Sequence, residues 1–276
     1  MALTFEIISV GHELLNGNTL NSNAHWMMGK ISEIGGIMRR CTIVGDNVDE
    51  IVAAVKEALA RKTSWIISSG GLGPTYDDIT LESVAKALNR TLVPNDKAIR
   101  MLKRRYSSRN IENDVKKIEF TSSRLKMATL PEGAEPLTNP VGSAPGVHII
   151  SDTSSIFCLP GVPNEMKEIF EKSVIRIVKA SEHTKNRQMT VLRLVHGYES
   201  SLAPFLEKIV KRYPDVYIKS HPRGVCDGVS KIEIQFLAIA DTKTSARRIS
   251  KRAASELKNL ILDSDKGFEI EEILEG

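Results

Sequence analysis

The sequence predicts a three-layer α/β domain built on a parallel sheet, followed by a small α+β domain. Three observations carry this prediction. Short, nearly continuous apolar runs alternate with segments of helical periodicity through residues 1–172. Strands that lack an in–out alternation belong to a sheet covered on both faces, as parallel sheets are. From residue 187 to 276 the order becomes strand, helix, strand, strand, helix, which marks a separate unit.

Phe5–Val10 is the first apolar run, and Gly11 ends it. Trp26, Met27, Ile31 and Ile34 mark one face of the helix that follows; Asn21 or Ser22 can cap it, and Gly35-Gly36 stops it. Met38–Val44 is the second strand, closed by Gly45-Asp46-Asn47. Ile51, Val52, Val55, Ala58 and Leu59 then recur at helical spacing. Ser64–Ser68 is the third strand and runs into Gly70-Gly71-Leu72-Gly73-Pro74. Leu81, Val84, Ala85 and Leu88 make the next helix.

Residues 96–126 hold ten basic and four acidic side chains, with Ile99, Leu102 and Tyr106 as an apolar stripe. Such a helix presents either a solvated face or an attractor for an anionic substrate. Val147–Ile150 and Ile156–Leu159 are strands beside turn-rich segments, and Glu165–Val178 closes the first domain. The second domain reads as strand Met189–Val195, helix Ser200–Arg212, strands Val216–Ser220 and Lys231–Ala240, and helix Ser245–Leu262.

Composition sets the class. At 41% hydrophobic and 26% charged residues the chain is of ordinary globular type. No run approaches the ~18 apolar residues of a membrane span, and the N-terminus lacks the basic region of a signal peptide. Cys41, Cys158 and Cys226 are widely spaced and odd in number, which fits neither a zinc cluster nor a disulfide framework and points to a reducing cytoplasm. The net charge of +4 is uneven. Residues 1–172 carry 20 basic and 20 acidic side chains; the remainder carries 18 and 14, six of those acids lying in Asp263–Glu275. The body of the second domain is therefore basic, through a solvated mixed face or a nucleic-acid surface.

Ligands of open α/β sheets sit beyond the carboxyl ends of the strands. Gly11, Asp46 and Gly70–Asp78 each follow a strand, so they are expected on one rim. In Gly70-Gly71-Leu72-Gly73-Pro74-Thr75-Tyr76-Asp77-Asp78, glycines let the backbone approach phosphate oxygens, and a helix N-terminus follows. Carboxylates beside an anion site repel the anion unless a cation lies between. A hard ion such as Mg²⁺ or Mn²⁺, held by one or two carboxylates, Asp77 and Asp78, and by the ligand's phosphates, meets that need. The alternative is that Asp77 or Asp78 caps the next helix, with Thr80 helping.

Glu13 positions a sugar hydroxyl or a metal-bound water, or is simply a turn residue; Asp46 is a third rim carboxylate, or half of an Asp-Asn turn. Asn139, Gly142 and Ser143 offer amide and hydroxyl contacts, or form a structural turn stiffened by Pro140 and Pro145. No GxxxxGK[ST] loop occurs, and the GxGxxG spacing is not met.

Several strings together resemble the N-terminal part of the CinA family, whose first domain has the molybdopterin-binding, MoaB/MogA-like fold. They are Gly11–Gly17 with Asn21 and Asn23, Val44–Asn47, Ser69–Thr80, Lys126–Ala128, Pro131–Ala134, Asn139–Gly146 and Leu159–Met166. The C-terminal unit resembles, more weakly, the KH-like domain of those proteins. It has His221-Pro222-Arg223-Gly224 but no clear Gly-x-x-Gly clamp, so RNA is not an expected partner.

The resemblance implies metal-dependent hydrolysis of ADP-ribose to AMP and ribose 5-phosphate. In the molybdopterin relatives, the carboxylates matching Asp46 and Asp78 serve metal binding and adenylyl transfer. It implies a catalytic role for Asp78 and Asp46, a metal on Asp46, Asp77 and Asp78, and substrate contacts from Gly11, Glu13, Asn23, Gly70, Gly71, Gly73, Pro74, Thr75, Asn139, Gly142 and Ser143. Alternatives are pterin or nucleotide binding with adenylyl transfer, and a non-catalytic nucleotide- or RNA-binding protein. His12 and Ser69 stand where those proteins commonly have Thr. The chain ends at Gly276, so the family's third domain, a nicotinamide mononucleotide deamidase, is not expected. A homodimer is expected, with a trimer as the alternative.

Overall fold

The computed structural model describes residues 3–109, 121–181, 185–226, 229–264 and 267–275, which divide into two compact units near residue 184. The first unit is organised by β1 (Thr4–Val10), whose seven residues are all buried. There follow α1 (His12–Leu15), α2 (Ser22–Glu33), β2 (Ile37–Val44), α3 (Val48–Ala60), β3 (Trp65–Ser69) and α4 (Thr80–Ala87). Next come β4 (Leu92–Pro94), α5 (Asp96–Arg109), α6 (Ser122–Lys126), β5 (Thr129–Pro131) and β6 (Glu135–Leu137). β7 (Gly146–Ile150), β8 (Ser155–Leu159), α7 (Pro163–Ile169), a π-helical turn over Phe170–Val174 and α8 (Ile175–Ala180) complete the unit. The expected 96–126 helix is observed as α5 and α6; residues 110–120 lie outside the described residues.

The main sheet has the order β2-β1-β3-β8-β7-β6. β1 pairs with β2 and β3 in parallel, and β3 pairs with β8 in parallel. The β8–β7 and β7–β6 pairs are antiparallel, so the sheet is mostly rather than wholly parallel. The reason is local: β7 and β8 are joined by four residues, 151–154, too few for a crossover.

Alternate residues of β1 feed two layers. Ile8 and Val10 pack with α3 and α4 through Ile51, Val55, Leu81 and Val84. Phe5 faces the other layer, where it stacks with Trp65, and Trp65 in turn with Phe157, at 6.2 and 5.7 Å between ring centres. These rings run across neighbouring strands and bind the sheet laterally. Asn21 caps α2, its Oδ1 accepting from the Ala24 N–H, as the sequence anticipates.

Among the described residues, one carboxylate of the first unit is buried in this core. Glu6 on β1 is 1% exposed. It accepts from Arg61 Nε at 2.9 Å, Arg61 Nη2 at 2.8 Å and Thr63 Oγ1 at 2.5 Å. Burial pushes its carboxyl pKa up, but the Arg61 and Thr63 hydrogen bonds and the charges of Arg61 and Arg40 together hold it below the usual value.

The second unit contains β9 (Asn186–Val195), α9 (Glu199–Arg212), β10 (Val216–Cys226), β11 (Val229–Ala240), α10 (Lys243–Leu262) and β12 (Glu269–Glu275). Its sheet has the order β10-β11-β9-β12, antiparallel throughout. Leu192, Leu194, Ile234 and Phe236 on the sheet and Leu202, Ile209 and Leu257 on the helices form its core. The sequence reading lacks β12. Its segment, Glu-Ile-Glu-Glu-Ile-Leu-Glu, carries four carboxylates, and an irregularity between Ile270 and Glu272 breaks the period of two. Two of the acids pair with the adjoining structure: Glu272 with Arg193 and Glu271 with Lys231, both at 2.9 Å.

Candidate functional site

From β1 the chain crosses to β2 on one side and then to β3 on the other, so the strand order reverses between β1 and β3. At such a point the two outgoing loops diverge and leave a crevice at the carboxyl ends. A cavity of about 570 Å³ lies there, within the usual size of small-molecule sites. The β1 loop contributes Gly11 and Glu13, the β2 loop Asp46, and the β3 loop Gly70, Gly71, Gly73, Pro74, Asp77 and Asp78. Gly142 and Ser143 close one side. The rim expected from strand ends is therefore present, and it brings these residues together.

The β3 loop owes its shape to Gly70. Its φ is +110°, and a Cβ there would stand 2.2 Å from the Val10 carbonyl oxygen. The Gly70 N–H donates to Leu159 O at 3.0 Å, and its carbonyl accepts from the buried Thr80 hydroxyl at 2.8 Å. The loop is thus stitched to β8 behind it and to the start of α4 below it.

Asp77 and Asp78 do not cap α4. The cap residue is Ile79, without a side-chain bond. The two carboxylates fold back on Thr75 instead: Asp78 Oδ2 accepts from the Thr75 N–H at 2.8 Å, and the Thr75 hydroxyl faces both acids. The Lys126 ammonium donates to the Thr75 carbonyl. The Thr75 hydroxyl bond first, then the backbone and, least, the Lys126 charge hold the Asp77 carboxyl below its ordinary value, against an opposing effect of burial.

Asp46 is not merely a turn residue. Its Oδ2 accepts from the His12 N–H at 2.9 Å, tying the β2 loop to the β1 loop, while the neighbouring Asn47 caps α3. Asn139 is the hub of its own loop. Its Oδ1 accepts from the Gly142 N–H at 2.7 Å, and its Nδ2 donates to Ala144 O at 2.8 Å and to Glu165 Oε2 at 2.6 Å. Asn139 and Thr75 therefore shape the cavity without lining it. Asn23 also lies off the main wall, in a small adjoining hollow, where its Nδ2 donates to Gly161 O at 2.7 Å.

Sequence reasoning missed Glu165, which lines the cavity from the first turn of α7. Its signal was the turn-rich segment after β8, the fourth strand end on the same rim. Glu13, Asp46, Asp77, Asp78 and Glu165 give the wall five carboxylates, and no Lys or Arg lines it among the described residues. Nor do three or more His, Cys, Asp or Glu side chains form a preassembled metal group among the described residues. Asp46, Asp77 and Asp78 share the cavity without making a closed cage. No helix of the described residues is long and apolar enough to cross a membrane.

Residues 6–180 match the family model described as a probable molybdopterin binding domain. The chain is 39% identical over 255 residues to a protein from Sulfurisphaera tokodaii, covering 92% of this chain and 94% of that one. It is 40% identical over 266 residues to a protein from Pyrobaculum arsenaticum, covering 96% of each. Among solved structures it is similar to one described as the protein CinA with unknown function from Thermoplasma acidophilum. Identity there is 36% and the TM-score 0.58, over 64% of this chain and 98% of that one. Fold and rim cavity thus define an α/β protein of the molybdopterin-binding class. The chain belongs to the CinA family.

Proposed function

We propose that the rim cavity binds a nucleotide-type diphosphate together with a divalent cation and hydrolyses it, with ADP-ribose or a related nucleotide-sugar diphosphate as substrate. The observation that carries this reading is the pairing of a glycine-built loop with a wall whose charged residues are all carboxylates. Glycine backbone suits close approach of phosphate oxygens, yet five carboxylates with no basic partner in the wall repel them. A cation between the two resolves the conflict. The donor set is oxygen only, which fits Mg²⁺, Mn²⁺ or Co²⁺, and one or two carboxylates with the ligand's phosphates complete such a site. Asp78, Asp77 and Asp46 would hold it.

When bound, the cation lowers the pKa of a coordinated water and offsets charge on the diphosphate. The protein's part is positional. Thr75 fixes Asp77 and Asp78, His12 fixes Asp46, and Gly70–Gly73 receive phosphate oxygens. In the balanced reaction, water oxygen bonds to one phosphorus and the bridging P–O bond breaks. AMP and ribose 5-phosphate leave, and the protons pass to solvent.

The test is AMP release from ADP-ribose with each metal. Asp78→Asn keeps the acceptor for Thr75, so it should keep its melting temperature while losing turnover by roughly 100-fold. Equal release by wild type and variant would sink the assignment. The family description supports a second reading, adenylyl transfer to a pterin, for which molybdopterin retained on purification would be the sign. Tight nucleotide binding without turnover would leave a binding protein. We also propose a homodimer in the cytoplasm, with sedimentation as the check on assembly.

A further inference from the structure

Beside the main cavity lies a hollow of about 110 Å³ that shares Val10, Glu13 and Gly161 with it. Most of its polar groups are committed. Ser9 and Asn21 bond each other at 3.0 Å, and Asn21 Oδ1 also caps α2. Asn23 is half committed: its Nδ2 donates to Gly161 O at 2.7 Å and to Ser69 Oγ at 3.3 Å. Its Oδ1 is buried and has no hydrogen-bond partner among the described residues. A buried amide oxygen without a donor is costly, so such an atom marks where a ligand or water belongs. Glu13, on the wall common to both spaces, adds a carboxylate, a pure acceptor.

The two acceptors select the chemistry of the occupant. They repel phosphate and carboxylate and they bind O–H donors. We infer that Asn23 Oδ1 and Glu13 recognise the vicinal hydroxyls of the ligand's pentose, while its phosphate lies toward Gly70–Gly73. This inference rests on the nucleotide-diphosphate reading and deepens it: the substrate must carry an intact ribose diol, and a 2-deoxy sugar is rejected. The hollow is too small for a whole nucleoside, so only the hydroxyl edge enters it and the ring stays in the main cavity.

Calorimetric titration of the full chain with Mg²⁺ tests this, using ribose 5-phosphate against 2-deoxyribose 5-phosphate and AMP against 2′-deoxy-AMP. The ribose member of at least one pair should bind tenfold or more tightly than its deoxy partner, because the missing hydroxyl leaves acceptors unpaired. Glu13→Gln, an exposed and nearly isosteric change, should shrink that preference to threefold or less with an unchanged melting temperature. Asn23→Ala should do the same, but it also removes the bond to Gly161, so Glu13→Gln and the wild-type comparison carry the decision. Deoxy and ribose ligands binding within twofold overturn the inference, as does failure of both pairs to bind. Either result leaves the hydrolase reading standing if ADP-ribose is still cleaved, and loss of cleavage with the diol preference intact overturns only the hydrolase reading.

Discussion

Replacing Arg61 with Met would strand a carboxylate in the core of the first unit. Glu6 is held by three donors, two of them from the Arg61 guanidinium. Removing one partner of a buried pair costs about 3–5 kcal/mol. The Arg61 side chain is 29% exposed and Thr63 still donates in the variant, so the lower end applies, about 3 kcal/mol at neutral pH. The pH dependence has a definite sign. In wild type the Glu6 pKa is held below 4.5, so its contribution is full above that pH and is lost as pH falls through the folded value. Without Arg61, burial dominates and the folded pKa rises above 4.5. The neutral acid is then the better-tolerated form, and the variant loses stability as pH rises through the unfolded value. The deficit relative to wild type is therefore largest near pH 7 and smallest near pH 4.

Tryptophan fluorescence during urea unfolding reports this cleanly, because both tryptophans, Trp26 and Trp65, lie in the first unit. Adding Glu6→Gln to Arg61→Met should recover most of the loss. A deficit below about 1 kcal/mol at pH 7, or an equal deficit at both pH values, would refute the reasoning.

Other expected outcomes follow from the same geometry. Gly70→Ala sets a methyl 2.2 Å from the Val10 carbonyl at a φ of +110°, and should cost about 2 kcal/mol or more in thermal unfolding. Thr80→Val leaves the Gly70 carbonyl without its hydroxyl donor, and should lower stability by about 1–3 kcal/mol and slow AMP release. Asn139→Ala frees Gly142, Ala144 and Glu165 at once, so the Michaelis constant for ADP-ribose should rise well before the melting temperature falls. Truncation after residue 267 removes Phe268 from the second core and bares the edge of β9, which should lower its melting transition and promote association seen by light scattering.

Local pattern was enough to locate the strands that build the rim. Apolar runs ending in Gly11, Gly45-Asp46 and Gly70 mark strand ends by short-range chemistry alone, and parallel order then puts those ends on one side. The same reasoning identified Asp46, Asp77 and Asp78, which do share a cavity. It did not foresee the reversed direction of β7, which depends on a connection length rather than on periodicity. It also passed over β12, a segment whose charges look like those of a solvated tail, because two of them pair with Arg193 and Lys231 on other strands.

What the amino-acid order determined by itself was the class of fold, the family and the loops that meet at the rim. Tertiary structure alone decided their inner roles: Asp77 and Asp78 grip Thr75 rather than a helix, Asn139 holds Glu165, and Asn23 donates to Gly161 while its Oδ1 is buried without a hydrogen-bond partner among the described residues. Strand and loop signals act between near neighbours and can be read along the chain. The partner of the Asn139 amide lies 26 residues away and that of the Asn23 amide 138, and only the folded chain brings them within hydrogen-bond distance.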